Sequence, residues 1–283
     1  MTIARIGFAY NPTFEAAVEL SARAAGWCRM RGIDEWQAPS GETAALARQL
    51  PGTDALVVLG GDGTFLRAAR AVSEVDVPLI GINLGKVGFL SKAEAGDFES
   101  VLGQIVDGDY RIDERLALDG RVLAGGAADD RTAVRHFALN DIVIARGSLA
   151  RVCRLDVEID DSHLATFIAD GLIVSSPTGS TGYSFSAGGP ILDPVSRNIV
   201  VTPIAAYLSA IRSVVVSPRQ TVRCTVIDAH EALVSIDGRE DLPIDVGDVI
   251  EVRAMDRPIR LIEPTGAEPF WDLLRRKVAL LPS

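Results

Sequence analysis

The apolar run Leu56-Val57-Val58-Leu59 passes without interruption into Gly60-Gly61-Asp62-Gly63-Thr64, and a helical pattern begins directly after it. A short apolar run ended by glycines and followed by a helix marks a buried strand that delivers a loop outside its carboxyl end, where open α/β sheets bind ligands. Without Cβ atoms, Gly60, Gly61 and Gly63 let phosphate oxygens approach backbone N–H groups. Thr64 is then expected to cap the helix whose positive end faces the anion. Asp62 is the odd residue, because a carboxylate beside a phosphate site is unfavourable unless it meets a hydroxyl or a metal ion. A Gly-rich strand-to-helix turn with Asp in a capping role accounts for the same five residues.

The flanking sequence fits an α/β unit. Up to residue 109, short apolar strands (residues 3–8, 54–59 and 77–82) alternate with helical segments (13–30, 42–50, 65–72 and 97–106), the first closed by Gly32. After Tyr110 the period changes to two. Leu155, Val157 and Ile159 face one way and Arg154, Asp156, Glu158 and Asp160 the other, as in a strand with one wet face. Similar runs at 137–144, 171–175, 213–216, 222–227, 233–236 and 249–253, separated by Gly, Pro and Asp turns, predict a mainly β region from 110 to about 261. Residues 124–130, rich in Gly, Ala and Asp, read as a mobile hairpin tip. Residues 268–280 return to helical spacing, with Phe270, Leu273, Leu274 and Val278 on one side and Arg275, Arg276 and Lys277 near the C-terminal end; this tail is expected to pack on the first domain.

Composition narrows the function classes. A chain of 283 residues, 48% hydrophobic and 23% charged, is globular and long enough for two domains. A net charge of -10 without a clustered basic face argues against a broad nucleic-acid or anionic-membrane surface, so an anionic ligand must be held locally. Cys28, Cys153 and Cys224 are far apart and lack CxxC spacing, and read as buried thiols of a reducing cytosol. His136, His163 and His230 show no metal-ligand spacing. The opening residues read as a strand rather than a signal peptide, and no stretch reaches the roughly 18 apolar residues of a membrane span, so a cytoplasmic protein is expected.

Other segments carry candidate chemistry. Arg67, five residues after Asp62 and expected in the first helical turn, could reach a pyrophosphate with its guanidinium, or could be a plain exposed Arg. Residues 81–90 form a second glycine-bearing strand end, whose glycines also suit a simple tight turn. The stretch 170–190, Asp-Gly-Leu-Ile-Val-Ser-Ser-Pro-Thr-Gly-Ser-Thr-Gly-Tyr-Ser-Phe-Ser-Ala-Gly-Gly-Pro, spends far more small and hydroxyl-bearing residues than a hairpin needs. Such density suits a ligand rich in hydroxyls, phosphates and ring nitrogens, with Tyr183 available to stack on a base. Asn140-Asp141 could bracket an adenine edge or a ribose diol, or form an Asx turn.

Residues 60–64, Asn140-Asp141, residues 170–190 and the tail Phe270-Trp271-Asp272-Leu273-Leu274-Arg275-Arg276-Lys277 together resemble the NAD kinase family over nearly the whole chain. The first motif is shared with lipid kinases and phosphofructokinases; the long loop is far more specific. The resemblance implies a Rossmann-like α/β N-terminal domain with a mostly parallel sheet (residues 1–109, joined by a helix in 268–283) and a mainly β C-terminal domain, a β-sandwich (110–267), with the active site between them. It implies phosphorylation of the 2′-hydroxyl of the adenosine ribose of NAD by ATP, giving NADP, with Mg²⁺ or another divalent cation arriving on ATP, in a homodimer or homotetramer without nucleic-acid or membrane partners.

By the same resemblance Asp62 is the catalytic residue at that hydroxyl, orienting it and accepting its proton late. Gly60, Gly61 and Thr64 hold phosphate. Gly63, Arg67, Asn140, Asp141, Arg151, Ile168, Asp170, Thr181, Gly182, Tyr183, Ser184, Phe185 and Ser186 bind substrate. Three departures stand out: Asp141 where Glu is common, Gly182 for the usual Ala, and Ile168 where a Gly or Arg goes with nucleotide preference, which leaves NAD against NADH open. A diacylglycerol-type lipid kinase would share the first motif and leave the 178–186 loop unexplained. A non-catalytic NAD-binding regulator would keep the loop but has no need of Asp62.

Overall fold

The computed structural model describes residues 3–85, 88–126, 134–148 and 151–278, and these divide into two units: Met1–Glu114 with Ile259–Ser283, and Arg115–Pro258. The 127–130 part of the expected hairpin tip lies outside the described residues.

In the first unit the expected alternation is realised as β1 (Arg5–Tyr10), α1 (Glu15–Arg29), β2 (Asp34–Pro39), α2 (Thr43–Gln49), β3 (Ala55–Leu59), α3 (Asp62–Val72), β4 (Leu79–Asn83), β5 (Ser91–Glu94), α4 (Phe98–Asp107) and β6 (Tyr110–Arg115). Much later the chain returns as β19 (Ile259–Pro264) and a final helix, Phe270–Val278. Among the described residues the sheet order is β2-β1-β3-β4-β19-β6, with β5 beside β4, and the pairings of β1 with β2 and β3, and of β4 with β3, β5 and β19, are parallel. Every residue of β3 is buried. Ala55, Val57 and Leu59 join a core with Ala17, Leu20 and Trp27 of α1 and Leu102 and Ile105 of α4, while Leu56 and Val58 are buried on the opposite face.

The chain runs from β1 outward to β2 but from β3 the other way to β4, so the carboxyl ends of β1 and β3 form a switch point, and the glycine-bearing loop leaves from there. The sequence reading placed residues 110–267 in the β domain; β6 and β19, at its two ends, instead complete the first sheet. A strand's sheet is decided by its partner strand, which the local sequence does not name.

The second unit contains β7 (Leu118–Leu123), β8 (Arg135–Ala138), β9 (Asp141–Arg146), β10 (Cys153–Ile159), β11 (Ser162–Ala169), β12 (Gly171–Ser175), the short α5 (Tyr183–Ser186), β13 (Ile199–Ile204), β14 (Val214–Val216), β15 (Val222–Asp228), β16 (Ala232–Ile236), β17 (Glu240–Ile244) and β18 (Val249–Ala254). They pair antiparallel in two sheets, β11-β10-β15-β18-β7-β8 and β14-β13-β12-β9-β16-β17. Alternate residues from both sheets, among them Leu155, Val157, Leu172, Val174, Cys224, Val234 and Ile250, share one core, as in a β-sandwich. The final helix of the first unit, α6 (Phe270–Val278), buries Leu273. All three cysteines are free and buried, and burial pushes the Cys28 thiol up to about 11. Among the described residues no helix is long and apolar enough to cross a membrane.

Candidate active site

The chain leaves β3 through Gly60 at φ 154°, where a Cβ would lie 2.6 Å from Thr64 Oγ1. Gly61 is the N-cap of α3, in extended backbone and with no side-chain cap bond; its carbonyl accepts the N–H groups of Thr64 (2.9 Å) and Phe65 (3.1 Å). The helix therefore starts at Asp62, three residues before the sequence reading put it, because Asp and Gly are weak helix formers inside a helix but suit its positive end. Two corrections follow. Thr64 is not the cap but a buried residue within the first turn, and Arg67 lies in the second turn. Arg67 Nη2 donates to Thr64 Oγ1 (3.3 Å) and Nε to Ser40 Oγ (3.0 Å), and among the described residues it forms no ion pair.

Asp62 is half-buried. Its Oδ2 accepts the Phe89 N–H at 3.3 Å and its Oδ1 the Leu90 N–H at 3.4 Å. A Cβ on Gly88 would come within 1.8 Å of Asp62 Oδ1, so only glycine lets the carboxylate lie in this backbone cradle. Gly61 and Gly63 are exposed, and the space where their Cβ atoms would stand is open. Lys86 and Val87, within the second glycine-bearing segment, lie outside the described residues.

In the second unit, the run expected as one strand over 137–144 breaks at Leu139 and Asn140. Three successive N–H groups, of Leu139 (3.0 Å), Asn140 (2.8 Å) and Asp141 (3.2 Å), turn to one carboxylate, that of Asp237. Asp237 follows β16 at φ 50° and returns its own N–H to Asp141 O at 3.0 Å. The loop after β12 closes onto the same place: the Ser176 N–H donates to Asn140 O (2.8 Å), its hydroxyl donates to Leu139 O, and a Cβ on Gly179 would be 2.2 Å from Asn140 O. Asn140, Asp141 and residues 175–179 thus form one cluster.

Burial first, then the neighbouring Asp237 charge, pushes the Asp141 carboxyl up to about 7. Burial also raises Asp237, opposed by the N–H groups of Leu139, Asn140 and Asp141. Asn140 Oδ1 and Thr178 Oγ1 are buried with no hydrogen-bond partner among the described residues, a cost of about 1–3 kcal/mol each unless a ligand meets them.

Further along the loop, Thr181 Oγ1 donates to Thr178 O (3.3 Å), and buried Ser184 pairs with Thr202 (3.3 Å). Gly182 and Ser186 are exposed, and Tyr183 and Phe185 present their rings at 48% and 45% exposure. Asp170 stands apart. Gly171 pairs with Ala145 and Ser175 with Asp141, so Asp170 precedes the end of β12 remote from the loop, a strand length of about 14 Å away. There Arg146 grips it, Nε to Oδ1 at 2.8 Å and Nη2 to Oδ2 at 3.2 Å. Ile168, on β11, is 40% exposed, and Arg151 is exposed before β10.

The sequence reading missed Gly88, Ser40, Arg146 and Asp237. Gly88 was visible only as one of several glycines without a task, and Asp237-Gly238 reads as an ordinary turn, with no local sign of a carboxylate that reaches residues 139–141. Among the described residues no group of three or more His, Cys, Asp or Glu is arranged to hold a metal ion.

Comparison with known proteins matches both units. The profile of the ATP-NAD kinase N-terminal domain matches residues 6–110, and that of the ATP-NAD kinase C-terminal domain residues 139–264. Proteins named NAD kinase from Heliobacterium modesticaldum (39% identical, covering 96% of this chain and 98% of that one) and Dehalococcoides mccartyi (38%, covering 97% and 95%) are similar throughout. Among solved structures, yeast NADH kinase complexed with NADH superposes with a TM-score of 0.82 at 25% identity, over 100% of this chain and 89% of that one. An NAD kinase from Archaeoglobus fulgidus in complex with ATP shares the fold with a TM-score of 0.77 at 24% identity, over 97% and 98%. On these matches, which span both units, the chain belongs to the NAD kinase family.

Proposed function

We propose that this chain transfers the γ-phosphoryl group of ATP to the 2′-hydroxyl of the adenosine ribose of NAD, giving NADP and ADP. The observation that carries the reading is the Asp62 carboxylate, cradled by the backbone of residues 88–90 at the start of α3 among exposed glycines. The N-terminus of a helix offers unpaired N–H groups and a positive dipole end to phosphate, and the open space over Gly61 and Gly63 lets phosphate oxygens approach. Arg67, without a carboxylate partner among the described residues, supplies a guanidinium for the same phosphates. Gly60 and Thr64 shape the turn.

The ribose 2′-oxygen attacks the γ-phosphorus, the bond to the ADP oxygen breaks, and the hydroxyl proton passes to Asp62. A carboxylate is a weak base toward an alcohol, so Asp62 contributes mainly by orienting the hydroxyl and takes the proton late in a loose transition state. In the second unit, Asn140 Oδ1 and Thr178 Oγ1 are free to pair with the nucleotide, and Tyr183 and Phe185 offer rings for a base. Thr181, Gly182, Ser184 and Ser186 build the surrounding loop, Asp141 opens β9 beside it, and Asp170, Ile168 and Arg151 serve a more distant part of the dinucleotide. Among the described residues none form a metal cage, and we take Mg²⁺ to enter on the phosphates of ATP. We take the protein to act in the cytoplasm as a homodimer or homotetramer.

The test is incubation with Mg-ATP and either NAD or a diacylglycerol analogue. NADP is expected from the first and no phospholipid from the second; phosphorylation of the lipid alone would sink the reading, and no turnover of either would favour a non-catalytic NAD-binding protein.

A further inference from the structure

Phe89 does two things at once. Its backbone N–H meets Asp62 Oδ2 at 3.3 Å, and its ring meets the C-terminal helix. The ring packs at a tilt against Phe270 with centroids 6.2 Å apart, and Lys277 Nζ lies 4.9 Å from its centroid, both within the range of attractive aromatic and cation–π contact. Phe270 in turn carries Trp271 edge-on at 4.9 Å. Helix α6 is fixed by buried Leu273, and its Arg276 pairs with Glu268 just before the helix at 2.6 Å.

The bonds from the 89 and 90 peptides to Asp62 are long for N–H···O bonds and cannot by themselves immobilise the segment. Gly88 offers no side chain to anchor. Leu90 is buried and pins one side, which leaves the Phe89 ring as the handle on the other. Phe89 and Phe270 are only half-buried and stand outside the main core of the unit, so building that core does not account for the contact.

We infer that Phe89 and Phe270, with Lys277, are positioning residues for Asp62. The helix holds the ring, the ring holds the peptides of residues 89 and 90, and these hold the carboxylate where the acceptor hydroxyl arrives. The inference rests on the role given to Asp62 above. It gives the C-terminal helix a catalytic consequence although α6 itself supplies no reacting group.

Steady-state kinetics with NAD and Mg-ATP on Phe270→Ala, Phe270→Leu and Asp62→Asn, with thermal melting of each, test it. For Phe270→Ala, kcat is expected to fall about 10- to 100-fold while both KM values stay within about two-fold, because misplacing a catalytic group costs rate rather than binding. Phe270→Leu, which keeps an apolar contact with Phe89, recovers most of the loss. Should Phe270→Ala melt below the assay temperature, Phe89→Ala carries the same expectation of a kcat-only loss. An unchanged kcat in Phe270→Ala and Phe89→Ala, or a rise in KM without a fall in kcat, overturns the inference and leaves the role of Asp62 standing. Asp62→Asn turning over at the wild-type rate removes both.

Discussion

Buried Asp141 and half-buried Asp237 are two carboxyl groups in one cluster, and their environment makes the pH response of the protein specific. The Asp141 carboxyl, pushed up to about 7, keeps its proton in the folded state while the unfolded chain loses it at an ordinary value of about 3.9. Between about pH 4 and pH 7 the unfolded state therefore binds fewer protons, stability falls as pH rises, and the loss is complete above the folded value. Asp141→Asn has no proton to lose. Relative to the wild type it should gain stability as pH rises through that window, reaching about 1–3 kcal/mol at pH 8, measured by urea unfolding at pH 4 and pH 8. An equal difference at both pH values would contradict the account. Much of this cluster was legible: Asn140-Asp141 and the 170–190 stretch stand out by composition. Asp237 was not, since a carboxylate that collects three N–H groups from residues 139–141 leaves no periodic trace.

At the scale of elements, β19 is tied into the first sheet by a charge cluster. Glu263 meets Lys92 of β5 at 3.2 Å and Arg111 of β6 at 3.1 Å, with the Lys92 and Glu263 side chains each 6% exposed. Burial alone would raise the Glu263 carboxyl, but the Arg111 hydrogen bond and the Lys92 charge hold it below its ordinary value. Its contribution is thus present above the unfolded value and is lost as pH falls through the folded one. Glu263→Gln leaves Lys92 buried without its counter-charge and should cost about 3–5 kcal/mol near pH 7, measured by denaturant unfolding. A variant as stable as the wild type would show that the cluster does not hold β19. The sequence reading found strands with strong alternation, such as β10 and β15, and buried apolar runs such as β12, and missed β2, β5, β6, β7, β11, β13, β17 and β19. Their composition explains it: Asp-Glu-Trp-Gln-Ala-Pro in β2, an internal Asp-Gly in β7, and Pro203 within β13 all argue against strand locally, and sheet neighbours override them.

For the whole molecule, the β-sandwich is an insertion in the chain of the first unit, leaving after β6 and returning at β19. The change of period at Tyr110 marked the exit one strand early, since β6 still belongs to the first sheet, and the return was not legible, because no strand was read over 259–264. A chain ended at residue 258 loses the strand that lies between β4 and β6. Its helical circular-dichroism signal, from α1 to α4, should lose its cooperative melt while the β signal of the second unit, which has its own core, persists. A helical melt unchanged from the full chain would contradict this. The central claim concerns Asp62, and one measurement meets it directly: turnover of NAD to NADP by Asp62→Asn, with NAD binding followed separately by calorimetry. The account predicts a kcat lower by about 10²- to 10⁴-fold with NAD still bound; turnover near the wild-type rate with NAD bound would contradict it.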